Sequence, residues 1–298
     1  MKTLAAWRRT GRLLVGMRAR PLALWLALAT MLAAVPAWAH QFWLAPSQYD
    51  ATPGQTVQVS ASAGTGFRGE RKPWSPSHVI RFVARTAHDL DLTRAATIGD
   101  LVWARFAASD SGGAMLACES SFSPIELPAG QFDAYLADEG LTGPLEVRRR
   151  AGASTPGRER FRRCAKTWLG GRDAGRATRP LGLPLEIVSE SVPGTAPSLR
   201  VLVLWNGHPL PGALVKMWCA SFAPGGGPTE GADRDSIGVL HEVRADGRGQ
   251  ATVRCERPGE WLVSVVHMVP CPEPAEADWE STWSSLTFAR PLSGAKSR

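Results

Sequence analysis

The stretch Leu199-Arg-Val-Leu-Val-Leu-Trp-Asn-Gly-His-Pro-Leu-Pro-Gly-Ala-Leu-Val-Lys-Met-Trp-Cys219 decides the fold class. Leu199, Val201, Val203 and Trp205 share one phase of a pleated strand, since successive strand side chains point to opposite faces. Asn206 to Gly212 is a cluster of turn residues, and Ala213, Val215, Met217 and Cys219 alternate again beyond it. Two alternating runs joined by a turn predict paired strands with one buried face.

The same pattern runs through most of the chain. Ala251, Val253 and Cys255 alternate, Pro258-Gly259 turns into Trp261, Val263, Val265 and His267, and Trp279–Ala289 predicts the last strand. Toward the amino terminus, Phe42-Trp43-Leu44, Thr56–Val59, Val79–Ala84, Leu101–Phe106, Met115–Phe122 and Leu183–Val188 carry strand character between turns. The middle departs from this. Gln131–Glu139 suits about two helical turns closing on Gly140 as a cap. The heavily basic run from Gly143 to Arg179 predicts a second short helix at Arg158–Trp168. The expected fold is all-β, with two β-sandwich domains in tandem. An amino-terminal β-rich domain covers 40–180 and includes a short helical, basic connecting region; a carboxy-terminal sandwich covers 181–298.

Residues 1–39 read as a secretory signal peptide. Arg8, Arg9, Arg12, Arg18 and Arg20 precede the apolar Leu22–Ala34, and Ala37 and Ala39 are the small residues a signal peptidase reads. The apolar run is short for a membrane span. Cleavage after Ala39 makes His40 the first residue of a periplasmic protein. It also removes Lys2 and those five arginines without removing an acid. Taking six from the chain's 34 lysines and arginines leaves 28 against 27 acids, a net charge of +1. The basicity therefore belongs to the signal, and no nucleic-acid partner is expected. All five cysteines lie in the mature chain, where an oxidising compartment permits disulfides. Cys219 and Cys255 share the apolar phase of two strands and form the first expected pair, with Cys118–Cys164 the second.

Several stretches, in order, resemble the family described as DUF4198. They are His40-Gln-Phe-Trp-Leu-Ala-Pro46, Ala134-Tyr-Leu-Ala-Asp-Glu-Gly-Leu141, Arg158-Glu-Arg-Phe-Arg-Arg-Cys-Ala-Lys166 and Leu181-Gly-Leu-Pro-Leu-Glu-Ile187, then Gly207-His-Pro-Leu-Pro-Gly-Ala213, Gly259-Glu-Trp-Leu262, and His267-Met268 leading to Asp278-Trp-Glu-Ser281. The resemblance implies an exported protein whose second domain is similar to immunoglobulin-like or transthyretin-like modules. It also implies an association with nickel or cobalt uptake systems, and so a membrane metal permease as partner.

His40 carries the sharpest candidate chemistry. A terminal histidine offers an imidazole and an α-amine of unperturbed pKa near ~8, whose proton a metal displaces at modest cost near neutrality. The two nitrogens close one chelate ring, and a further histidine would complete a three-nitrogen site suited to Cu(II) or Ni(II). His267, at the end of the Trp261/Val263/Val265 phase, is the expected partner. Glu280 in the next strand is the expected oxygen ligand, or the group that holds an imidazole in one tautomer. The expected metal is a transition ion (nickel, cobalt or copper) held by His40, His267 and Glu280. The plainer reading makes Phe42-Trp43-Leu44 an ordinary first strand and His267 a core histidine bonded to backbone.

No HExxH, GxSxG or GxxxxGK motif occurs, so binding and not catalysis is expected. A copper-dependent oxidative site on His40, similar to that of lytic polysaccharide monooxygenases, is the enzymatic alternative. Twelve tryptophans against two tyrosines support a further class, a carbohydrate- or protein-binding envelope module without metal.

Overall fold

Strand β7 (Ala114–Ser120) is apolar at every position from Ala114 to Cys118 because both of its faces are covered. It lies in a central sheet of nine strands in a computed structural model that describes residues 41–50, 52–222 and 240–291. The order across that sheet is β14 (His241–Arg244), β13 (Leu214–Ala220), β16 (Gly259–Pro270), β17 (Trp279–Arg290), β9 (Gly157–Leu169), β7, β4 (Val79–Arg85) and β5 (Asp89–Asp91). The ninth, β8 (Ser123–Leu127), pairs with the first residues of β9. All pairings are antiparallel except β9 with β17, where strands from the two halves of the chain meet side by side. Strands from either side of residue 180 thus share one sheet.

A four-stranded sheet covers each face. On the first face lie β1 (Gln41–Pro46), β2 (Thr56–Thr65), β3 (Arg68–Lys72) and β6 (Ala104–Ala107). Phe42, Leu44, Val57 and Val59 pack there against Leu116, Cys118 and Ala165 of the central sheet. On the second face lie β10 (Leu185–Ser189), β11 (Ser198–Trp205), β12 (His208–Pro209) and β15 (Gln250–Arg254). Ile187, Val201, Val203 and Val253 pack there against Met115, Ala117, Cys164 and Val263. The fold is all-β, and its two sandwiches share one sheet. The alternation of Leu199, Val201 and Val203 is the inward phase of β11, as expected from the sequence.

Helices α1 (Ala129–Asp138) and α2 (Thr142–Arg150) cover the rest of the first face through Phe132, Tyr135, Leu136 and Leu145. Gly140 adopts φ +64° just beyond α1, the left-handed cap expected there. Gly157 is the only residue type that fits under α1, since a Cβ there would lie 2.2 Å from Cγ of Phe132.

Two expectations are corrected. Arg158–Trp168 is not a helix but most of β9, in the middle of the sheet. Its charged residues are accommodated by neighbours that sequence spacing does not reveal. The Arg160 and Arg162 guanidinium groups lie 4.7 and 4.9 Å from the Phe122 ring centre. Lys166 is buried with its ammonium on Glu186. The cysteines are all free. Cys118 and Cys164 point to opposite faces of the central sheet, so they cannot be bridged without moving backbone. Cys219 and Cys255 do share the core of the second sandwich, as thiols.

Candidate functional site

His267 and Glu280 lie on adjacent strands, β16 and β17, where His267 pairs with Thr282 and Val269 with Glu280. Both point to the second face, one diagonal step apart. The phase read from the sequence for His267 therefore places it correctly on its strand. Each residue is already engaged. The His267 ring packs edge-on against Trp205 with centres 4.7 Å apart, and burial lowers its pKa. Glu280 accepts from Arg160 Nε at 2.9 Å and Nη2 at 2.6 Å, and Arg160 also donates to Glu276 at 2.8 Å. Burial opposes the charge on Arg160, but the bonds to Glu280 and Glu276 outweigh it and raise its pKa. A guanidinium thus sits where a cation would have to approach Glu280. Among the described residues, no group of three or more His, Cys, Asp or Glu side chains is placed to hold a metal ion.

His40 lies outside the described residues. The strand that follows it lies on the other face. Ser285 Oγ donates to the Phe42 carbonyl at 2.6 Å and Thr287 Oγ1 to the Leu44 carbonyl at 2.9 Å. Ser285 and Thr287 alternate with Leu286 and Phe288, which point into the second sandwich. Gln41 is buried, and its Oε1 accepts from the Gly66 N–H at 3.1 Å. The central sheet therefore separates β1 from His267 and Glu280.

On the β1 face the structure assembles a group that the sequence reading missed. Glu159 on β9 is 1% exposed. Its Oε1 accepts from Tyr135 Oη at 3.3 Å and from Ser281 Oγ, while Oε2 has no protein partner. Burial raises its pKa to about 7, against the smaller opposing effect of those two hydrogen bonds. Trp283, next along this face of β17, stacks on Tyr135 at 5.9 Å and 9°, and its Nε1 is likewise buried without an acceptor. Arg163 closes the row between the Phe161 and Phe42 rings at 4.7 and 5.6 Å, and burial pushes its pKa down to about 10. The available signal was Glu159 alone among the arginines of Arg158–Arg163. It becomes visible only once that run is known to be a strand.

Two surface depressions lie elsewhere. One, of about 280 Å³, is lined by Leu240, His241, Arg254, Glu256, Arg257 and Trp261. The other, of about 220 Å³, has Arg85, Asp89, Asp173, Arg176 and Arg179 in its wall. Neither contains a residue of the rows above.

No curated protein matches this chain. Among solved structures, the D0-D1 domain of Intimin aligns over 84% of this chain and 97% of its own, at 10% identity and a TM-score of 0.18, a likeness too slight to carry an argument. A family model does match, over residues 37–269, and covers most of the elements described above. The chain belongs to the family described as Domain of unknown function (DUF4198).

Proposed function

We propose that the chain is exported, cut after Ala39, and binds a transition metal ion through the new terminus at His40, as a carrier or sensor beside a membrane metal permease. One observation supports the placement of this site: Glu159, buried on the face where β1 begins, keeps one carboxylate oxygen free of any protein partner. The α-amine and imidazole of His40 supply two nitrogen donors in one chelate ring, and Glu159 supplies an oxygen. Such a set suits nickel, cobalt or copper. His267 and Glu280 belong to the opposite face and have no part in it. Binding displaces the proton of the terminal ammonium, so affinity rises with pH below the amine's pKa of ~8.

Titration calorimetry with Ni(II), Co(II) and Cu(II) tests this on the mature protein. The authentic His40 terminus is expected to bind at least one of them tenfold or more tightly than a protein with one extra residue ahead of His40. Equal affinities for all three metals overturn the reading.

A further inference from the structure

The cations of β9 are not treated alike by the fold. Arg158, Arg160, Arg162 and Lys166 each form an ion pair, with Asp278, Glu280, Glu119 and Glu186 in turn. Arg163 has no such partner among the described residues. Burial is the sole cause of its lowered pKa, so no carboxylate stands near enough to offset the loss of water. Its guanidinium lies between the Phe161 and Phe42 rings, and its Nε has no acceptor. Ring faces attract the charge, but they do not replace the hydrogen bonds it has given up. Glu159, two steps back on the same face of β9, is bonded to Tyr135 and Ser281 and not to Arg163.

Directly across the β9–β17 pairing from Arg163 is Trp283. Its side chain is 3% exposed, and its Nε1 is also a donor without an acceptor. Opposed residues on neighbouring strands hold their Cβ atoms about 5 Å apart. Two N–H donors, one of them charged, therefore lie side by side on this face, and buried donors are seldom left so. Arg163 as a whole is only half-buried, so a ligand has an approach along the outer end of its guanidinium.

The missing partner is an acceptor that carries charge. A single cation between two aromatic rings matches one negative charge on a molecule with an apolar remainder. A second negative charge would be desolvated there without a partner. A carboxylate is planar, as the guanidinium edge is, and its second oxygen is free for the indole.

We infer that Arg163 and Trp283 form a binding site for a small organic monocarboxylate, whose apolar part rests on Phe42 and Phe161. The site uses neither His40 nor the metal of the reading above.

The test is urea unfolding of the protein in rising sodium butyrate, against sodium chloride at equal ionic strength. Binding to the folded state gives a saturable gain in stability. Butyrate is expected to saturate, and sulfate to bind at least tenfold more weakly. Trp283→Phe keeps a ring against Tyr135 but removes the N–H, and is expected to weaken butyrate about tenfold. Arg163→Met is expected to abolish saturation. Absence of a saturable gain, equal binding of sulfate and butyrate, or full butyrate binding in either variant overturns the inference. If a variant does not fold, the assigned Nε1–H resonance of Trp283 in the unsubstituted protein decides. It is expected to shift with butyrate and not with chloride, and a resonance that butyrate leaves unmoved overturns the inference.

Discussion

Lys166 Nζ lies 2.7 Å from Glu186 Oε1, with the two side chains 0% and 1% exposed, and the pair joins the central sheet to the sheet on its second face. Burial lowers the Lys166 pKa against the opposing pull of Glu186. The Glu186 carboxylate also accepts the N–H groups of Leu181, Gly182 and Leu183, and Lys166 donates to the Ile187 carbonyl. The two residues are therefore not equivalent. Glu186→Ala strands an ammonium group and three backbone donors, and is expected to cost about 3–5 kcal/mol. Lys166→Met leaves the carboxylate with three backbone donors and costs less. Urea unfolding of the two variants gives the order, and an equal or reversed cost contradicts this account.

Glu159 and Glu139 both titrate near 7 in the folded chain, raised from 4.5 with burial the largest cause. The folded chain therefore holds protons that the unfolded chain has already released. Stability falls as pH rises from 4.5 to 7, and the loss is complete above that range. The protein is expected to show this fall, and Glu159→Gln to remove up to about 3 kcal/mol of it. Urea midpoints at several pH values measure both. A flat profile would contradict the buried-carboxylate account.

Gly157→Ala would place a Cβ 2.2 Å from the Phe132 ring, forcing α1 off the sheet. Overpacking of this kind costs about 1–3 kcal/mol. Gly130→Ala in the same helix meets nothing within 4 Å and serves as the control. Thermal melts should separate the two, and equal melting temperatures would show that α1 does not rest on Gly157.

His267→Ala removes a half-buried ring from Trp205 on the face away from β1. It is expected to leave nickel, cobalt and copper affinity unchanged, whereas His40→Ala lowers it at least tenfold. Calorimetry of both variants distinguishes the faces. A metal affinity lost with His267 would move the site to the second face.

Strands with one apolar phase, such as β11 with Leu199, Val201 and Val203, were legible because half of each lies against a core. The strand β9 was not. Arg160 and Arg162 on one face and Arg163 on the other erase its alternation, and what stabilises them there includes Phe122, Phe42 and Glu280, all distant in sequence. The candidate site divides the same way. That His267 and Glu280 point to one face follows from phase within two strands. That β1 lies on the other face depends on how three sheets are layered, which no local pattern encodes. Glu159 stayed hidden because its partners, Tyr135 on α1 and Ser281 on β17, come from two other elements.

The proposed metal chelate depends on where the mature chain begins. Intact mass and amino-terminal sequencing of the exported protein measure this directly. The predicted terminus reads His40-Gln41-Phe42-Trp43. A chain that starts at any other residue would contradict the metal chelate.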